Sequence, residues 1–413
     1  MSFNKILIVS MGNGGNAVAS AFIENLLKEC GVGSGGEVPA DAGLAGALQK
    51  FCDLQSNGKL VPRHIMAANA DSPFPTSAYG GLYPAEAKIT ESEEYGKKNH
   101  AKGYKAPTVS NLIQLVQQRV SALNNQCVIW LFHSLGGGYG SGAGASFIEQ
   151  FADEESAPLV SFPILPYKIV SKDVWEPYNA VLGLPFILKG ASLILPIDNK
   201  GLYQAAEAIT PTPMYGNLNA VLANALTTLV SPMLWPDKSG QRLSVDEFHK
   251  NLSNQSDPEK WFDGAERGPS YERIVTLSNY CDATSPQENN LALATRAVAG
   301  AQGGLGTAAM NQWLKQFVVI RGTQSDTSDF GQAASAGSTR LALNPKASQK
   351  RAIVAGVNTG VIHRLQDLMD DYTEMYEQKA YLHWYTHEGV DEYAFTEAEE
   401  KIREQLEAFE SVS

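Results

Sequence analysis

Gly136-Gly137-Gly138-Tyr139-Gly140-Ser141-Gly142 is the stretch on which the fold turns. It follows an apolar run, Cys127-Val128-Ile129-Trp130-Leu131-Phe132, and precedes a segment of helical character at residues 143–151. Gly or Ser fills every position but Tyr139, so the backbone can turn sharply and bring its N–H groups close to an anion. A helix N-terminus directly afterwards adds its dipole. Strand, glycine turn and helix together predict a phosphate cradle. It is not the lysine-bearing kind, because the run holds no lysine and no Gly-Lys-Ser/Thr follows.

On either side of this run, short apolar stretches alternate with helical ones. Residues 5–10, 63–68, 127–132, 159–165 and 192–196 read as buried strands; 16–30 and 109–123 read as helices, the former after a glycine turn at 12–15. Such alternation predicts an α/β, Rossmann-like parallel sheet covered on both faces. Ligands of these sheets bind at the carboxyl ends of the strands, where both glycine-rich turns fall. Residues 31–46 and 90–108 read as polar loops, and 217–234 as one almost uninterrupted apolar helix. Beyond residue 241 the periodicity weakens. Strand-like runs at 273–277, 317–321 and 353–357 imply a second α/β domain, with loops at 299–306 and 331–338 and two closing helices at 360–381 and 396–409.

The chain has 413 residues, 44% of them hydrophobic, and a formal net charge of −12. That length supports two or three domains. The acidic balance and the lack of a basic stripe argue against direct nucleic-acid binding. No apolar run approaches ~18 residues, which argues against membrane insertion. Cys30, Cys52, Cys127 and Cys281 are widely spaced and form no Cys-x-x-Cys pair, so reduced thiols in a cytoplasmic protein are expected.

The glycine run resembles the signature of the tubulin/FtsZ family, commonly GGGTGSG, with Tyr139 in place of Thr. Gly12-Asn13-Gly14-Gly15-Asn16-Ala17 is a near-match to a dinucleotide fingerprint, but no convincing acidic residue ends a second strand where that fingerprint wants one. It resembles the family's first phosphate loop, GQCGNQ, with Gly12, Gly15 and Asn16 retained and Ala17 replacing a base-holding Gln. Further matches follow in order. Lys59-Leu60-Val61-Pro62-Arg63 resembles GKYVPRA, and Asn69-Ala70-Asp71-Ser72 stands where the family has DLEP. Asn99-His100-Ala101-Lys102-Gly103-Tyr104 resembles the loop that senses the γ-phosphate. Glu176-Pro177-Tyr178-Asn179, Asp198-Asn199 and Tyr215-Gly216-Asn217-Leu218-Asn219 resemble EPYN, the DN pair and YGDLN. Glu247-Phe248-His249-Lys250-Asn251-Leu252 resembles EFxTNL, and Lys379-Ala380-Tyr381-Leu382-His383-Trp384-Tyr385 with Glu388-Gly389-Val390 resembles RAFVHWYVGEGM.

The resemblance covers nearly the whole chain and is closest to divergent prokaryotic, bacterial-type members. It implies a GTP-binding domain over 1–213, a long central helix over 214–236, a second (activation) domain over 237–358 and a C-terminal helical pair over 359–413. It implies GTP/GDP held by Gly12, Asn13, Gly14, Gly15, Asn16, Asn99, Gly136, Gly137, Gly138, Tyr139, Gly140 and Ser141. Glu176 would meet the ribose; Asn199, Tyr215 and Asn219 would hold the guanine, whose mixed edge suits amides. Mg²⁺ would sit at Asp71, Asn69 having lost the other acid. His100 reads as a surface histidine, and the aromatics of 379–390 as packing residues. Glu247 is the expected catalytic residue, acting on the nucleotide of the next subunit, with Ser244 where a second acid is usual. The implied protein is a GTPase that polymerises head to tail with itself, or with a second tubulin-like subunit, into cytoskeletal filaments. The acidic segment 282–288 at the expected lateral loop implies single or few-stranded filaments. A structural or capping homologue with little hydrolysis stays open. A dinucleotide-dependent oxidoreductase needs one glycine loop, whereas this chain has two.

Overall fold

The computed structural model describes residues 2–411 apart from 71–73, 93–94, 96–97, 153–156, 172, 256–268, 283, 285–292, 294–296, 298–312, 323–336 and 345–349. Asp71 and most of the acidic segment 282–288 therefore lie outside the described residues.

The amino-terminal sheet is built from β1 (Lys5–Met11), β4 (His64–Asn69), β5 (Lys88–Glu91), β6 (Cys127–Ser134), β7 (Leu159–Leu165), β8 (Leu193–Ile194) and β9 (Ile197–Asp198), while β2 (Cys52–Leu54) and β3 (Leu60–Pro62) form a separate hairpin. The main sheet is parallel throughout, in the order β5-β4-β1-β6-β7-β8, with β9 also on β7. Alternate side chains of its central strands feed two apolar layers. Ile6, Ile8, Trp130 and Phe132 face one; Leu7, Val9, Ile129 and Leu131 face the other. The first layer is covered by α1 (Gly12–Glu29), α2 (Ala42–Leu48), α7 (Asn199–Glu207) and α8 (Tyr215–Leu229), the second by α4 (Thr108–Ala122), α5, α6 (Glu176–Gly190) and the C-terminal helices Val361–Glu377 and Glu392–Glu410. Here α5 is a π turn, Tyr139–Ala143, continuing as Gly144–Ala152. A second sheet, β10 (Thr276–Asp282), β13 (Arg351–Asn358), β11 (Trp313–Gly322) and β12 (Gly337–Leu343), packs Phe317, Val319, Ile353 and Ala355 into the first layer. Its β10/β13 and β11/β13 pairs are antiparallel and its β11/β12 pair parallel. This is the predicted α/β architecture with a second α/β region and C-terminal helices.

Several local readings are corrected. Helix α1 begins at Gly12, so the first glycines form its opening turn instead of a loop before it. Tertiary packing overrides their low propensity: a Cβ on Gly15 would stand 2.3 Å from the Phe132 carbonyl oxygen, so only glycine lets α1 lie this close on β6. Within 90–108, read as loop, lie the end of β5 and the short helix α3 (His100–Tyr104). The strand at 192–196 divides into β8 and β9 around Pro196, which has no N–H for a ladder. The apolar helix stops at Leu229 and resumes as α9 (Ser231–Leu234), where Pro232 has no amide to extend α8. A strand, β12, starts inside the run read as a small-residue loop.

The two ends of α1 are both engaged. Gly12 adopts φ +72°, and a Cβ there would meet the Gly140 nitrogen at 3.1 Å. At the far end, Glu29 receives Arg351 at 2.8 Å and also pairs with Arg321. Both arginines belong to the second sheet, so the helix ties the glycine loops to it. Arg351 also holds Asp282 at 3.1 Å.

The glycine run packs backbone to backbone against α3. A Cβ on Gly142 would lie 2.0 Å from the His100 carbonyl oxygen, one on Gly138 2.2 Å from the Asn99 nitrogen, and one on Gly103 2.2 Å from the Gly138 carbonyl oxygen. Gly137 has nothing within 4 Å of such an atom. Gly142→Ala should therefore lower unfolding free energy by about 1–3 kcal/mol through overpacking, while Gly137→Ala leaves it within about 0.5 kcal/mol; urea melts of the nucleotide-free variants check this pair.

Candidate nucleotide site

The carboxyl ends of β1, β4, β6, β7 and β9 open into one cavity of about 940 Å³. Its floor and walls include Gly12, Asn13 and Gly14 after β1, Asn69 closing β4, Ser134 and Gly137–Gly140 around the end of β6, Pro166 after β7 and Asn199 after β9. Glu176, Tyr215, Asn219 and Asn99 also belong to the lining. Twelve of the sixteen expected nucleotide residues thus meet in one place.

Gly15, Asn16, Gly136 and Ser141 do not line it and serve the scaffold instead. Asn16 is buried; it accepts from Ser10 Oγ at 2.6 Å and donates to the Ala67 carbonyl at 3.0 Å, joining β1 to β4. A Cβ on Gly136 would crowd Glu176 Oε1 at 2.6 Å. Ser141 Oγ donates to the Asn179 carbonyl at 2.6 Å beneath the loop. His100, expected at the surface, is buried with Nδ1 2.7 Å from that same hydroxyl, and burial pushes its pKa down to about 3. It is a neutral strut and not a phosphate donor. Asn99 caps α3, accepting from Ala101 N at 2.8 Å and donating to the Trp384 carbonyl at 3.0 Å. Its side chain is committed to the protein.

Tyr139 explains its departure from Thr. Its ring is buried against the cavity wall, and its hydroxyl lies 3.1 Å from Thr108 Oγ1, which donates in turn to the buried Glu91 at 2.5 Å. Burial is the main cause that raises the phenol to about 12. The hydroxyl points away from the phosphate loop, leaving backbone amides to meet an anion.

Asn179, quoted in the motif but given no role, organises the site. Fully buried, it accepts from His100 N at 2.9 Å and Tyr385 Oη at 2.7 Å, and donates to the carbonyls of Lys98 at 2.9 Å and Gly136 at 2.8 Å. The aromatics of 379–390 are also corrected in part. Trp384 and Tyr385 line the cavity, Trp384 beside Trp175 with centroids 5.4 Å apart. Lys102 joins Glu388 at 3.2 Å, tying α3 to the same segment.

Glu247 lies elsewhere, exposed on α10 (Val245–Leu252) and not among the cavity residues. Ser244, where a second acid is usual, caps this helix. Its Oγ meets Glu247 N at 3.1 Å, and Glu247 Oε2 accepts from Ser244 N at 2.8 Å. Asp246 pairs with Lys250 at 2.9 Å. Trp130 Nε1 donates to His249 Nε2 at 2.9 Å while His249 Nδ1 meets the Val245 carbonyl at 2.7 Å, seating α10 on β6. Burial keeps that histidine neutral, with a pKa pushed down to about 4.

The open glycine surface, the lining amides and the carboxylate of Glu176 fit a nucleoside phosphate, and Asp173 is the lining's second acid. The residues fit Mg²⁺ less well: Asn69 offers an amide, and the described residues contain no group of three or more His, Cys, Asp or Glu able to hold a metal. Asp71, the expected ligand, is outside the described residues.

A parallel α/β sheet with glycine-lined cavity at its strand ends defines a nucleotide-binding domain of the phosphate-cradle class. The model of the Tubulin/FtsZ family, GTPase domain, matches residues 5–207. The chain belongs to the tubulin/FtsZ superfamily, and its amino-terminal domain is a guanine-nucleotide-binding GTPase domain of that family. Among the described residues, no helix is long and apolar enough to cross a membrane.

Glu176 titrates near neutrality. Burial lifts its pKa to about 7, with Asp173 adding to the rise and Ser171 and Lys98 opposing it. A raised carboxylate pKa favours the empty fold below the ordinary value of 4.5, and that contribution disappears as pH rises through about 7. Ribose hydroxyls donating to this group, the role given by the resemblance, favour its ionised form, so binding should release a proton below about 7. GDP affinity of the unaltered protein, divided by that of Glu176→Gln to cancel the phosphate's own titration, should rise between about pH 6 and about pH 7, at most about tenfold per unit, and level off above; calorimetric titration measures it.

Proposed function

We propose that this protein is a GTPase that assembles head to tail with further copies of itself into filaments, GTP lying in the described cavity and being covered by the next copy. The observation that carries assembly is the distribution of exposed apolar side chains. Among the exposed large hydrophobics of the described residues, Tyr215 and Trp384 line the cavity, and Ile169, Val174 and Met214 each adjoin a lining residue in sequence. Exposed apolar side chains gathered near one site favour an interaction surface there. A contact between one end of a copy and the other end of the next is heterologous and propagates without closing.

The position of Glu247 favours catalysis in trans, since it is remote from the cavity of its own chain. Asn199, Asn219 and Tyr215 at one end of the cavity favour guanine, and the phosphates lie on residues 12–14 and 137–140. Mg²⁺, if carried with the phosphates, and a cytoplasmic location belong to the same proposal. Titration with GTP, GDP and ATP should give a preference for the guanine nucleotides of about 10² or more, because an unmatched base leaves buried polar groups unpaired; equal affinity for ATP would defeat this reading.

A second reading, a nucleotide-binding homologue with little hydrolysis, is favoured by Tyr139 turning its hydroxyl away and by Glu247 being engaged with Ser244. Glu247→Gln separates the two, because glutamine preserves the capping box while removing the charge. With catalysis in trans, GTP turnover per molecule climbs with protein concentration, and the variant loses about 10²-fold or more of it at unchanged melting temperature and nucleotide affinity. Turnover that is negligible and independent of concentration identifies the second reading.

A further inference from the structure

We propose that Lys98 is the counter-ion of the nucleotide's phosphate chain, parked on Asp173 and Trp175 until the phosphates arrive. The proposal rests on the guanine-nucleotide reading of the cavity and adds the charged group that reading lacks. The glycine runs supply backbone N–H groups and the neutral amide of Asn13, but no positive charge. Among the described residues lining the cavity, Lys98 is the single cationic side chain, set against the carboxylates of Asp173 and Glu176. A phosphate chain entering without a cation would meet those carboxylates unscreened.

The backbone of Lys98 is pinned where the phosphate loop begins. Its φ of 53° lies in the left-handed region, its carbonyl accepts from Asn179 Nδ2 at 2.9 Å, and a Cβ on Gly138 would stand 2.7 Å from its carbonyl carbon. The side chain is open to solvent by contrast, 60% exposed. Its ammonium lies 3.0 Å from Asp173 Oδ1 and 4.9 Å from the centre of the Trp175 ring. An ion pair this open to water holds weakly, so the four-carbon stem can turn the ammonium inward at small cost. A lysine ammonium serves phosphate as a mobile point charge. Asp173 then acts as its resting partner, on the loop that leads into Glu176.

The test uses the full chain and three probes: guanosine, GDP and GTP, titrated by calorimetry. In Lys98→Gln, GTP binding should weaken about tenfold or more, as expected for a lost charge-assisted contact. GDP should weaken less and guanosine stay unchanged. The salt dependence of GTP affinity should flatten. In Asp173→Asn, the released ammonium should tighten GTP binding a few-fold. Tryptophan emission should shift on GTP addition, and that shift should vanish in both Trp175→Phe and Lys98→Gln. GTP affinity unaltered in Lys98→Gln, or an equal loss for guanosine, overturns the counter-ion role. Weaker GTP binding in Asp173→Asn overturns the parking arrangement. If the unaltered protein prefers GTP over ATP while Lys98→Gln matches it, only this proposal falls; if the unaltered protein binds none of the three probes, the reading of the cavity falls with it.

Discussion

Four hydrogen bonds on the side chain of Asn179 hold together three segments that are far apart in sequence. The amide reaches residues 98–100, the start of the glycine run and Tyr385 near the carboxyl terminus. Only a primary amide offers two donors and two acceptor sites in so small a volume. An aspartate would lose both donors, and an apolar residue would orphan buried backbone groups on every side. Direct contacts join these segments in pairs, as Asn99 to Trp384 and Gly138 to Asn99, while Asn179 reaches all three at once. The cavity is therefore a joint construction, and its geometry stands on one buried side chain at the start of α6.

Glycine does two kinds of work in this site. At Gly137 it leaves a surface open to a ligand. At Gly103, Gly138 and Gly142 it lets two stretches of backbone lie so close that no side chain fits between. A glycine-rich motif is thus partly a packing motif, and the short α3 is held by it. The π turn at the start of α5 accompanies the same crowding.

The apolar runs made β1, β6 and β7 readable because central strands of a parallel sheet are buried on both faces and carry little else. β5 escaped because it is an edge strand whose residues, Lys88 to Glu91, look like loop. The start of α1 and the break before α9 depended on contacts and on one proline, which local periodicity does not weigh. Within the site, ordered motifs located the cavity but could not orient side chains. Ser141, Asn16 and His100 sit in the right motifs and face inward to the scaffold. Lys98, Trp175 and Trp384 were overlooked because they converge only through tertiary structure, from segments whose positions in sequence span 98 to 384.

Helix α1 joins Gly12, against the glycine run, to Glu29, gripped by two arginines of the second sheet. Eighteen helical residues make a rod about 27 Å long. Such a rod resists bending far more than the loops at either end. Its length sets the spacing between Gly12 and the pair of arginines, Arg321 and Arg351, that hold its last residue. Structurally, the nucleotide pocket and the second sheet share one strut, with the glycine run packed on its first residue and two arginines fastened to its last.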